Sequence, residues 1–260
     1  IDGRGPNEVK ENLRQHLDTL KVIAGTGKPF EPNIPHHFSF RGGDDYTYVL
    51  SAYLAAITAK KMGVKCLVLQ TMLNTPKYTW GIQDLAKARS LLRLVRELAD
   101  DSFTVLHQPR AGLDYFSPDL EKAKIQLASV SAMMDDIEPE NINGPDIIHV
   151  VSYCEAVSLA TPEYINESIQ ITLKSLSAYR RAKESGFMDN MIKNKEVEER
   201  TNDLYQEVKQ TVRILEKNIP GLYSPEGLYQ VFHKGIFAVP YLWEGREEFR
   251  NAVKWKTGLV

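Results

Sequence analysis

Apolar residues recur near the start of the chain at intervals of three and four, at Val9, Leu13, Leu17, Leu20 and Ile23, and this stripe predicts an amphipathic helix from Asn7 to about Ala24. Gly25-Thr26-Gly27-Lys28 breaks it. The segment Pro35 to Phe40 reads as a short strand ending at Arg41-Gly42-Gly43, after which Asp44 and Asp45 open a long helix through Lys61. The same strand-then-helix unit returns three times. Strand Cys66–Gln70 precedes helix Gly81–Ala99, strand Phe103–Leu106 precedes helix Asp119–Asp135, and strand Ile147–Val151 precedes a helix from Pro162 to about Lys183. Cys66–Gln70 and Ile147–Val151 are apolar on consecutive positions, as strands buried on both faces of a parallel sheet are. Strands alternating with helices at a spacing of roughly 40 residues predict a right-handed βαβ architecture.

Four such units fill the chain to about residue 186, whereas a closed (β/α)8 barrel of the TIM type needs eight strands and about 250 residues. The expectation is therefore an α/β chain holding half a barrel, residues 1–186, followed by a helical and irregular extension, residues 187–260, packed on it. The charged stretch from Asn190 to Asn218 reads as helix, and the aromatic, Pro- and Gly-rich tail as irregular. A four-stranded parallel arc has two open edges that another chain or a missing barrel half would cover.

Composition narrows the partners. With 43% hydrophobic and 25% charged residues the chain falls in the range of globular proteins, and 32 Lys plus Arg against 34 Asp plus Glu give no positive field to attract nucleic acid or an anionic membrane. Cys66 and Cys154 sit in apolar segments without metal-binding spacing, so no disulfide framework or zinc site is expected and a reducing cytoplasm is. No run is long enough to cross a bilayer. The first residues lack signal-peptide character and an initiator Met, which reads as a fragment or a processed product.

In parallel α/β sheets the ligand lies at the carboxyl ends of the strands. That rule selects four loops: Arg41 with Gly42 and Gly43; Thr71 and Asn74; His107, Gln108 and Arg110; and Ser152, Tyr153, Cys154 and Glu155. Arg41 could hold an anion at a helix start or belong to a plain capped turn. His107 and Gln108 could bond a polar ligand edge. Glu155 has no basic neighbour within four residues, so its carboxylate either meets ligand hydroxyls or caps a helix start. His36 and His37, adjacent on a strand, would point to opposite faces and could not share a metal. No nucleotide-binding, zinc-peptidase or serine-hydrolase motif occurs.

The stretch from Phe103 to Met134, FTVLHQPRAGLDYFSPDLEKAKIQLASVSAMM, resembles the segment of the glutamate (methylaspartate) mutase large subunit in which a strand ends in His-Gln and a Gly-containing loop leads to a small-residue helix. DIIHVVSYCEAVSLATPEYINESIQIT is similar to the next unit of that family, LAAITAKKMGVKCLVLQ to an earlier one, and GIFAVPYLWEGREEFRNAVKWKTG to its C-terminal extension. The resemblance implies a part of the catalytic subunit of an adenosylcobalamin-dependent isomerase. Its cofactor is carried by a separate small cobalamin-binding subunit, and a radical formed by cobalt–carbon homolysis rearranges a small amino acid. It further implies that Glu155 holds the adenosyl ribose, that His107, Gln108, Arg110 and Gly112 face the corrin, and that the substrate-binding arginines lie in the barrel half this chain lacks; Arg41 and Asn74, selected by the loop rule above, are the candidates for substrate. The family lysine four residues before the glutamate is Val151 here, and its Trp-Met-Gly-Gly is Pro109-Arg110-Ala111-Gly112. Two other readings stand beside this one: a lyase or methyltransferase barrel, and a non-catalytic half-barrel that serves as an assembly subunit.

Overall fold

The computed structural model describes residues 7–40, 42–77, 79–189, 191–239 and 245–252. Besides two short 3-10 turns, at Leu113–Tyr115 and Met191–Lys193, ten elements follow along the described chain: α1 (Val9–Thr26), α2 (Ile34–Ser39), α3 (Asp45–Lys61), β1 (Cys66–Leu73), α4 (Gly81–Arg96), β2 (Thr104–Ala111), α5 (Leu120–Met134), α6 (Pro162–Glu184), α7 (Lys195–Asn218) and α8 (Pro225–His233). The architecture is helix-rich α/β with one two-stranded parallel sheet, β1 beside β2.

Several elements form for reasons that are plain in the sequence. Asp44 caps α3 by accepting the Thr47 N–H at 2.7 Å, Asp119 caps α5 through the Glu121 and Lys122 N–H groups, and Thr161 precedes Pro162 at the first turn of α6. α1 closes at Gly27, whose φ of 68° is the left-handed conformation that a helix end favours. Thirteen of the residues of α3, from Tyr46 to Ala59, are buried, so this helix is apolar all round and lies inside the core instead of on its surface.

The expected strand at Pro35–Phe40 is helical instead, as α2. Pro35 occupies its first turn, where a missing N–H costs nothing, and His36 Nδ1 lies 3.0 Å from the Asn33 side-chain oxygen. The parallel neighbour of β1 lies earlier, at Phe30, whose N–H donates to the Cys66 carbonyl at 2.9 Å and whose carbonyl accepts from Val68 at 2.8 Å. Ile147–Val151 forms no full strand either. It pairs with β2 through one parallel bridge, Arg110 with His149, and through the Ile147 N–H to the His107 carbonyl. β2 itself runs past Leu106 to Ala111, and the tail read as irregular contains α8.

The described residues of Ile1–Val68, Arg93–Val105 and Asp203–Val260 form one compact unit, and those of Leu69–Leu92 and Leu106–Asn202 a second. In the first, α1 packs on α8 and α2 on α3, around an aromatic cluster in which the Phe38 and Phe237 rings stand 4.9 Å apart and those of Phe232 and Phe237 5.1 Å. In the second, α5 packs on α6, and Asp135 at the end of α5 receives Arg180 at 2.6 Å and Lys183 at 2.7 Å from the end of α6.

Candidate functional site

Neighbouring residues of a strand point to opposite faces, so the polar residues of β1 and β2 divide into two groups, both in the second unit. On one face Gln70 donates its side-chain amide to the Gln108 carbonyl oxygen at 2.8 Å and lies 3.2 Å from His149 Nδ1. On the other, His107 stands between Thr71 Oγ1 and Glu138 Oε2, each 2.9 Å from one ring nitrogen. A carboxylate can only accept, so Nδ1 carries a proton, and in the neutral imidazole Nε2 accepts from the Thr71 hydroxyl. Hydroxyl, imidazole and carboxylate in that order are the parts of an activated nucleophile. Thr71 and His107 are 0% and 1% exposed, however, and a substrate has no route to them. The trio clamps β1 to β2 and to the turn after α5.

The carboxyl end of β1 is different. Asn74 takes the left-handed conformation, φ 56°, which Asn tolerates better than most residues, and its N–H donates to Asp84 Oδ2 at 2.5 Å. Asp84 and Lys87 form an ion pair of 2.9 Å in which both side chains are fully buried, and Lys87 also donates to the Thr75 carbonyl at 2.8 Å. The backbone after β2 closes on this corner. A Cβ on Gly112 would stand 1.9 Å from Thr75 Oγ1, and the Gly112 N–H donates to the Leu73 carbonyl. Two buried polar atoms here, Asn74 Oδ1 and Thr75 Oγ1, meet no partner among the described residues. An unpaired buried polar atom costs about 1–3 kcal/mol, so a ligand that donates to this corner regains that energy.

Glu155 is exposed, and its Oε1 accepts the Ser152 N–H at 3.1 Å, which closes the turn after the fourth extended segment. Its other oxygen meets no partner among the described residues. Beside it, burial together with a hydrogen bond to Glu167 pushes the Tyr153 phenol up to about 12. Val151 is buried.

The residues expected from sequence thus fall into different settings. His107 and Gln108 lie within β2 and not beyond it, tied to neighbouring side chains, because the strand continues through Pro109 to Ala111. Arg110 is half-buried, with its Nε on the Ala111 carbonyl. Asn74 lies at a strand's carboxyl end as expected, Glu155 lies beyond the fourth segment, and Arg41 falls outside the described residues. Sequence reasoning missed Thr75, Asp84, Lys87, Glu138 and His149. Asp84 and Lys87, three residues apart on α4, carry nothing in sequence that sets them apart from a surface pair, whereas His149 inside the apolar run IIHVV was a legible signal. No group of metal-binding side chains occurs among the described residues, and no helix among them is long and apolar enough to cross a membrane. No protein-family model and no curated protein sequence matches the chain.

Proposed function

We propose that this chain is part of the large catalytic subunit of an adenosylcobalamin-dependent carbon-skeleton mutase acting on a small amino acid such as glutamate, and that its strands belong to half of a (β/α)8 barrel. The observation that carries the reading is the pair of buried, unpartnered oxygens of Asn74 and Thr75 at the carboxyl end of β1, where a parallel α/β fold binds its ligand. Hydroxyl and ammonium groups are the donors that such oxygens accept. The parallel neighbours of β1 at Phe30 and of β2 at His149 support the barrel reading, since each strand continues into further parallel pairing.

The donor set fits the adenosyl group in part. Glu155 has one carboxylate oxygen fixed by Ser152 and the other available to a ribose hydroxyl, whereas His107 has both ring nitrogens committed and is buried. Glu155 would therefore hold the adenosyl ribose, and Arg110 and Gly112 would shape the surface offered to the corrin. His107 positions the strands. The radical chemistry comes with the bound cofactor; the chain's own contribution is to orient the amino acid at Asn74 and Thr75, which are as enclosed as the His107 trio at 9% and 0% exposed and take a ligand only when this corner opens, and to keep water from it. The small cobalamin-binding subunit and the other barrel half complete the site.

The test uses the purified chain with the other barrel half and the small subunit of a glutamate mutase, adenosylcobalamin and glutamate. Expected are co-elution that depends on the cofactor, turnover, and a loss of at least about tenfold for Glu155→Gln, the factor that corresponds to roughly 1.4 kcal/mol of charge-assisted hydrogen bonding. The melting temperature of the variant should stay within error. Absence of both complex and turnover overturns the reading, and full turnover with lowered stability removes Glu155 from the site.

A further inference from the structure

The first compact unit carries a cavity of about 480 Å³, inside the range of roughly 300–1,000 Å³ that small-molecule sites occupy. Its two walls are the facing sides of α3 and α7. Tyr53, Ile57, Lys60 and Lys61 recur at helical spacing on α3, and Lys209, Val212, Arg213 and Glu216 do so on α7. The floor is apolar, because Tyr53 and Ile57 are each 8% exposed and Val212 5%.

The charges at the mouth differ in what already neutralises them. Lys60 donates to the Leu98 carbonyl and is paired with Asp100, and Lys209 is paired with Glu97 at 2.7 Å. Arg213 is exposed and meets no acid among the described residues, while Lys61 meets only the face of the Tyr223 ring, 4.9 Å from its centroid. Glu216, also at the mouth, accepts from the Tyr223 hydroxyl at 2.7 Å. Two uncommitted cations against one carboxylate leave an excess of one positive charge. Tyr53 adds a separate observation. It is more than nine-tenths buried and lines the cavity, and its hydroxyl makes no hydrogen bond among the described residues; burial raises it most, and of the charges around it Glu97 acts first, then Lys209 and Glu216.

We infer that this cavity binds a small amphipathic monocarboxylate, its apolar body on Ile57 and Val212 and its carboxylate between Lys61, Arg213 and the Tyr53 hydroxyl. A monoanion matches the single excess charge. A phosphate dianion would bring a second negative charge against Glu216, and a neutral body alone would leave both cations unmatched. The site owes nothing to the residues that carry the mutase reading.

Isothermal titration of the intact chain with octanoate tests this, with inorganic phosphate and octanol as head-only and body-only probes. Octanoate should bind at millimolar or lower concentration and raise the melting temperature, and both controls should bind at least about tenfold more weakly. Arg213→Gln with Lys61→Gln, both at exposed positions, should weaken octanoate by roughly tenfold or more with the fold intact by circular dichroism, and Tyr53→Phe should weaken it by a smaller factor. No octanoate binding, equal binding of octanol, tighter binding of phosphate, or unchanged affinity in the double variant overturns the inference.

Discussion

At the scale of single residues, Asp84 holds the corner after β1 together. It neutralises Lys87 and accepts the Asn74 N–H, and both charged side chains are out of contact with water. Removing one member of a buried pair leaves the other charge uncompensated, so Asp84→Ala should cost about 3–5 kcal/mol in chemical denaturation. The double change Asp84→Leu with Lys87→Met should recover most of that loss, because neither charge then needs a partner. A cost under about 1 kcal/mol for the single variant would show that water reaches the pair. Asn74 was legible at this scale as a polar residue near a strand end. That its backbone is left-handed and its amide oxygen unpaired depends on Asp84, ten positions away on another element, and no local pattern carries that.

Between elements, the end of α4 is tied to α7 by Glu97. Burial pushes its carboxyl upward, but hydrogen bonds from Lys209, at 2.7 Å, and from the Tyr205 hydroxyl outweigh this and hold it below the usual carboxylate range. A depressed carboxyl contributes stability that is fully present above its unfolded value of about 4.3 and is lost as pH falls through the lower folded value. Thermal melts from neutral pH down to about pH 3 should therefore show a shallower acid loss in Glu97→Gln than in the parent chain. Identical acid limbs would mean that Glu97 is as free in the folded chain as in the unfolded one. The starts of α3, α5 and α6 were readable because a capping residue, or a proline in the first turn, is local information, as at Asp44, Asp119 and Pro162. The strand expected at Pro35–Phe40 was misread because six residues of mixed aromatic and His character suit either state. Pro35 in a first turn and the pairing of Phe30 with β1 decided the outcome.

For the whole molecule, α6 leaves Ile165, Ile169 and Leu173 exposed at four-residue intervals, 46%, 38% and 54%, and Leu159 ahead of it at 93%. Such a stripe is characteristic of a surface that another chain covers. We expect light scattering to find more than one copy per particle, and Ile169→Lys with Leu173→Lys to give a monomer of undiminished melting temperature. A parent chain that is monomeric at all concentrations and stable to heating would count against this. The sequence by itself determined β1 and β2 with the helices that follow them and the residues that cap those helices, since these follow from residue types within one or two turns of one another, whereas the strands expected at Pro35–Phe40 and Ile147–Val151 did not form. Tertiary structure alone decided that His107 is enclosed between Thr71 and Glu138, that Asp84 and Lys87 are core residues, and that Tyr53 faces a cavity between α3 and α7. Each of these depends on which distant segment lies across from a side chain and on how much water that segment excludes, and neither quantity is set by neighbours along the chain.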